Sequence, residues 1–174
     1  MSEALQTEAL RTAPSKPGDV VEDFTAPDQD GSPVSLASFA DKPVVLFFYP
    51  RADTPGCTVE ACSFRDAITD LQEAGAVVLG ISRDTVKAQK KFADKFHLKY
   101  PLLADADETI CNYFGVIQPK NMYGKLVKGV QRNTYLIAPA DADGHQRLLH
   151  VWTKVKPEGH AEEVLAFLKA QPTT

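Results

Sequence analysis

Three cysteines, Cys57, Cys62 and Cys111, are the side chains of this 174-residue sequence best suited to redox chemistry. Cys57 and Cys62 stand five positions apart in Tyr49-Pro50-Arg51-Ala52-Asp53-Thr54-Pro55-Gly56-Cys57-Thr58-Val59-Glu60-Ala61-Cys62. Thr54-Pro55-Gly56 reads as a loop, and Cys57 falls in the first turn of the helix after it. Unpaired N–H groups at a helix start carry partial positive charge. That field favours a thiolate over a thiol, so the Cys57 pKa is expected to be lowered and the sulfur to be nucleophilic at neutral pH. The Thr54 hydroxyl can donate or accept a hydrogen bond beside it. A place on the polar side of a strand–helix junction suits a buried structural cysteine poorly.

Cys62 belongs to the same helix. Five residues rise about 7.5 Å and, at a radius near 2.3 Å, put the two Cα atoms roughly 8.6 Å apart. A disulfide needs about 4.4–6.8 Å. Either the pair never bonds, or the helix start unwinds when it does, and helix ends are where such opening is least costly. Cys111, in Thr109-Ile110-Cys111-Asn112-Tyr113-Phe114, has the neighbours of a packed helix and reads as a small buried hydrophobe. Its other possible role is to react with Cys57 in place of Cys62.

The positioning elements follow from the hydrophobic pattern. Val44 to Tyr49 is apolar on both faces, as in a central strand covered on both sides. Thr58 to Ala74 reads as a helix with Ala61, Phe64, Ile68 and Leu71 on one face, ended by Gly75. Val77 to Ile81 is a second buried strand, and Asp84 is expected to cap a helix to about Phe96. Leu102-Leu103 is a short strand and Asp107 to Phe114 a short helix. Thr134 to Ile137 and Leu148 to Trp152 read as an antiparallel hairpin, and Gly159 to Ala170 as a last helix. Val20 to Thr25 and Val34 to Phe39, joined by a turn at Asp30-Gly31, suggest a small opening β segment. The order predicts an α/β fold with a largely parallel sheet, helices on both faces and an antiparallel hairpin near the C-terminus. Cys57 then sits at the carboxyl end of a strand, where sites collect in open sheets.

Length predicts one domain, residues 18–174, preceded by an extension over 1–17 in which Pro14 and Pro17 end any helix begun by Leu5, Ala9 and Leu10. Nineteen Lys plus Arg against 23 Asp plus Glu give a net charge of −4, which argues against a nucleic-acid partner. Three cysteines are too few for a disulfide scaffold and point to a reducing compartment. Met1 to Leu10 lack the positive start and apolar run of a signal peptide. The longest apolar stretch, Val44 to Tyr49, falls far short of the roughly 18 residues that cross a bilayer. A cytoplasmic location away from membranes is therefore expected.

Other chemistries find no support. G-x-G-x-x-G, G-x-x-x-x-G-K and G-x-S-x-G are absent. His97, His145, His150 and His160 form no H-x-x-x-H pair, and there is no C-x-x-C to seed a zinc site. Asp141 and Asp143 before Gly144 read as a turn, since the first ligand of a calcium loop would fall on Pro139. No metal or other cofactor is expected.

Phe48-Tyr49-Pro50, Thr54-Pro55-Gly56-Cys57-Thr58, Glu60-Ala61-Cys62 and Phe64-Arg65-Asp66 resemble the peroxiredoxin family. The likeness is to its bacterioferritin comigratory, or Q-type, subgroup. It continues through Gly80-Ile81-Ser82, Asp84, Pro101 to Asp105, Phe114-Gly115-Val116, Arg132 and Gly159-His160-Ala161. The resemblance implies a thioredoxin-like fold. It implies that Cys57 is the peroxidatic cysteine, that Thr54 and Arg132 help hold peroxide and thiolate, and that Cys62 is the resolving cysteine of an intramolecular disulfide. It also implies hydrogen peroxide and organic hydroperoxides as substrates, thioredoxin or a similar dithiol as reductant, and no metal, haem or flavin. With both reacting cysteines in one chain, a monomer suffices. Asn133 departs from the small hydroxyl residue common at its position, and the loop from Pro139 to His145 is long. Two other readings stand beside this one. A thioredoxin-type oxidoreductase would normally carry C-x-x-C, whereas here the spacing is C-x-x-x-x-C. A non-catalytic redox sensor would be oxidised stoichiometrically, without turnover.

Overall fold

The structure, a computed structural model, describes residues 12–171. Leu5, Ala9 and Leu10 lie outside the described residues. A six-stranded mixed sheet in the order β1-β10-β9-β4-β5-β6 forms the centre. Its strands are β1 (Val20–Val21), β4 (Val44–Phe48), β5 (Val77–Ser82), β6 (Leu102–Ala104), β9 (Thr134–Ile137) and β10 (Gln146–Trp152). β4, β5 and β6 run parallel, while β9 pairs antiparallel with both β4 and β10. The expected hairpin near the C-terminus is therefore β9–β10.

β4 shows why the sheet is covered on both sides. Successive side chains of a strand point to opposite faces. Val45, Phe47 and Tyr49 enter one core cluster, and Val44, Leu46 and Phe48 enter the other. Helices α1 (Pro55–Glu73), α2 (Val86–Phe96) and α4 (His160–Ala170) pack on the Phe47 side, where Phe47 stacks on Phe64 at 4.5 Å. Helix α3 (Thr109–Phe114) packs on the Phe48 side. A side chain at Gly80 would approach Phe47 and Leu102 to 2.9 Å, so glycine on β5 leaves room for the Phe47 ring.

Several boundaries differ from expectation. Helix α1 starts at Pro55 rather than Thr58, because proline's fixed φ suits a first turn that needs no N–H partner. It ends as expected at Gly75, whose φ of 89° is open to glycine. Asp84 does not cap α2. Thr85 does, its hydroxyl accepting from Ala88 N at 3.2 Å. α3 begins at Thr109, not Asp107. The opening segment is divided: β1 pairs with β10, β2 (Thr25–Pro27) pairs with β3 (Pro33–Ser35), and Leu36–Phe39 form a 3-10 turn. A hairpin absent from the sequence reading, β7 (Ile117–Met122) with β8 (Lys125–Val130), forms a separate two-stranded sheet. Its link, Tyr123-Gly124, has φ of 53° and 82°, the doubly left-handed turn that suits the twist of paired strands.

Candidate functional site

The site forms where β4 ends. Tyr49 N donates to Ile81 O at 3.1 Å, and the chain then turns through residues 50–54 into α1. Asp84 holds that turn: its carboxylate accepts from Ala52 N at 2.8 Å and from the Ser82 hydroxyl at 2.6 Å. Thr54, in extended conformation, is the residue before the helix, and its carbonyl accepts from Thr58 N at 2.8 Å. Cys57 follows in the first turn.

Cys57 is only 1% exposed and belongs to the Phe47-side core. It does not stand on a polar, open side of the junction, as its place in the sequence suggested. The helix start is tucked under Arg132, whose Nη2 lies 3.5 Å from Cys57 Sγ. The same guanidinium donates through Nη1 to Glu60 Oε1 at 2.9 Å. A side chain at Gly56 would come within 3.1 Å of Arg132 Nη2, so glycine there lets the guanidinium lie across the helix start.

Backbone pairing fixes Arg132. Asn133 O accepts from Phe48 N at 2.8 Å, and Arg132 O accepts from Val155 N at 2.8 Å. The Asn133 side chain accepts from Gln131 Nε2 at 3.0 Å and from Lys154 N at 3.1 Å, and it donates to the Tyr135 hydroxyl at 3.1 Å. Asn133 therefore braces both flanks of the arginine.

Glu60, one helical turn from Cys57, was given no role by the sequence reading. It is fully buried, and its Oε2 has no hydrogen-bond partner. Burial pushes its carboxyl up to about 7, with Arg132 pulling in the opposite direction. Burial works against the Arg132 charge, but Cys57 and Glu60 outweigh it and hold the guanidinium protonated. The spacing of three residues on a helix, which puts two side chains on one face, was the signal that could have found Glu60.

The other expected residues divide. The Thr54 hydroxyl donates to Arg51 O at 2.8 Å. Cys62 is half-buried on α1, and both it and Cys57 are free thiols in one unbroken helix. Cys111 lies in the Phe48-side core, so the sheet stands between it and Cys57. Burial and the nearby Asp105 carboxylate push the Cys111 thiol well above its ordinary value. His160 is buried, bonded to the Thr134 hydroxyl at 2.8 Å and to Glu163 at 3.1 Å. Asp141 makes the expected turn, accepting from Asp143 N at 2.9 Å and His145 N at 3.0 Å. Among the described residues no helix is long and apolar enough to cross a membrane.

The arrangement is a buried sulfur in contact with a guanidinium at a helix start. The AhpC/TSA family profile matches residues 17–142. Peroxiredoxin Bcp of Escherichia coli K12 is 44% identical over 156 residues, covering 90% of this chain and 97% of that protein. The Xanthomonas campestris bacterioferritin comigratory protein was solved as a trapped intermediate/ligand complex bearing on its alkyl peroxide reduction activity. It matches with a TM-score of 0.79 at 38% identity, over 91% of this chain and 98% of that one. Peroxidoxin BcpB of Mycobacterium tuberculosis matches with a TM-score of 0.78 at 44% identity, over 91% and 99%.

Proposed function

The chain belongs to the AhpC/TSA family and is a peroxiredoxin, a thiol-dependent peroxidase of thioredoxin-like fold, and within that activity we propose that Cys57 is the sulfur that attacks peroxide. The observation that carries this reading is the 3.5 Å contact between Arg132 Nη2 and Cys57 Sγ. An arginine stays protonated at any pH the enzyme meets, so its charge beside the sulfur favours the thiolate.

The chemistry follows from the groups present. The Cys57 thiolate attacks one oxygen of a hydroperoxide and the O–O bond breaks. The other oxygen leaves as water or alcohol, taking up a proton, and Cys57 becomes a sulfenic acid. Arg132 and the free N–H groups of the α1 start stabilise charge on the departing oxygen, as an oxyanion hole does. The Thr54 hydrogen is already given to Arg51 O, so its oxygen is left to accept a bond from the hydroperoxide O–H. Cys62 then attacks the Cys57 sulfur and expels water, forming a disulfide. The first turns of α1 must open for this, because helical geometry holds the two Cα atoms roughly 8.6 Å apart. A dithiol reduces the disulfide by exchange and leaves oxidised itself.

Hydrogen peroxide and organic hydroperoxides are the substrates in this reading, and thioredoxin or a similar dithiol protein is the reductant. The protein works as a cytoplasmic monomer, with the catalytic domain over 18–174 and 1–17 as an appended segment. Peptide mass spectrometry after one equivalent of peroxide should find a Cys57–Cys62 disulfide. In Cys62→Ser a sulfenic acid should persist on Cys57 and be trapped by dimedone. A disulfide to Cys111, or no oxidation at Cys57, would overturn the assignment.

A further inference from the structure

The β7–β8 hairpin brings a second cation toward the site. Lys120 lies on β7 opposite Val127. Its alkyl chain crosses β8 at Gly129, where an added Cβ would sit 2.9 Å from Lys120 Cδ. Glycine at 129 is what lets the side chain lie flat. The ammonium ends on β8, with Nζ donating to Val130 O at 2.8 Å, two residues before Arg132. No acidic residue occurs between Glu108 and Asp141. Among the described residues Lys120 forms no carboxylate ion pair, whereas nearby Arg83 pairs with Glu108 at 3.2 Å.

A half-buried ammonium with no carboxylate partner is costly unless another anion compensates. We propose that Lys120 is the second cation of the thiolate site, a positioning residue that helps keep Cys57 ionised when Glu60 claims part of the Arg132 charge. The inference rests on Cys57 being the attacking sulfur. Burial lowers the Lys120 pKa and the Arg132 charge lowers it further. The Cys57 charge acts the other way, so the ammonium lies within electrostatic reach of both. Arg132 touches the Cys57 sulfur, the buried Tyr49 and Lys120 of the hairpin lie within electrostatic reach of it, Glu60 joins through Arg132, and Arg83 acts on Lys120. Arg132 is shared with a carboxyl group that itself ionises near neutrality. Lys120 carries positive charge that no carboxylate neutralises.

The test follows iodoacetamide alkylation of Cys57 against pH in Cys62→Ser protein, read on the Cys57 peptide by mass spectrometry. Lys120→Met should move the midpoint up by about one pH unit, slowing alkylation roughly tenfold below it. Lys120→Arg should restore the midpoint to within a few tenths. Lys120→Gln keeps a donor for Val130 O but no charge, and should behave like Lys120→Met. If both uncharged variants keep the wild-type midpoint, Lys120 is only a clip on the hairpin, whatever happens to Tm, and the proposal fails. If one equivalent of peroxide leaves Cys57 unoxidised in the same Cys62→Ser protein, the reading of Cys57 itself fails, independently of any midpoint.

Discussion

The two sides of the sheet each bury a cysteine close to a carboxyl group, yet they hold those cysteines in opposite electrostatic settings. Cys57 and Cys111 are 1% and 0% exposed, so burial does not separate them. Asp105 accepts from Ile110 N at 3.0 Å and Cys111 N at 2.7 Å, and its negative charge faces the Cys111 thiol. On the other side the carboxyl is Glu60, and Arg132 spans it and the Cys57 sulfur. One interior opposes a thiolate and the other has a cation seated on it. A buried cysteine is inert by default; what separates Cys57 from Cys111 is the guanidinium that the loop between β8 and β9 lays against its sulfur.

The comparison breaks most visibly on the cysteines themselves. Cys57→Ser should reduce peroxide turnover with a dithiol reductant by at least about a thousandfold. Cys111→Ala should leave turnover within about twofold while lowering stability by roughly 1–2 kcal/mol, from the small cavity it opens. Steady-state assays and urea unfolding measure the two effects. Equal losses of turnover would erase the distinction between the two sides.

Arg132 is the next point of attack. Arg132→Met should lower kcat/KM for peroxide by about 10²–10³, the range seen when one charge-stabilising donor is removed from a site. Arg132→Lys should recover little of it. The guanidinium reaches Glu60 and Cys57 with two separate nitrogens, and a single ammonium cannot hold both positions. Stopped-flow oxidation of the reduced protein reads the step directly. Full activity in Arg132→Lys would show that charge alone matters.

What the sequence disclosed depended on how local each feature is. β4 was legible because six consecutive apolar residues admit a strand covered on both faces. The ends of α1 were nearly so, from Pro55 and Gly75. Cys57 and Cys62 stand in one short segment, and their helical separation follows from geometry alone. Arg132 came only from resemblance, because its value lies in the pairing of Asn133 O with Phe48 N, 85 positions apart in the chain. The β7–β8 hairpin was missed because most of β8 is exposed, leaving weak hydrophobic alternation, although Gly124 marked its turn. An acidic residue just before α2 suits a helix cap, but the loop before α1, remote in sequence, uses the Asp84 carboxylate instead.

The finest test of the contrast lies in Glu60, whose carboxyl ionises at about 7 rather than at its ordinary 4.5. Between those values the folded chain binds more protons than the unfolded one, so stability must fall as pH rises. The contribution is fully present below about 4.5 and is lost as pH climbs through about 7. Its size is on the order of 3 kcal/mol, and Glu60→Gln, which cannot titrate, removes it. The difference in unfolding free energy between wild type and Glu60→Gln should therefore shrink across that window, as urea titrations at several pH values would show. A flat difference would mean that Arg132 holds Glu60 ionised throughout. The guanidinium would then be committed to its carboxylate at every working pH, and the Cys57 side would resemble the Cys111 side more closely than its geometry indicates.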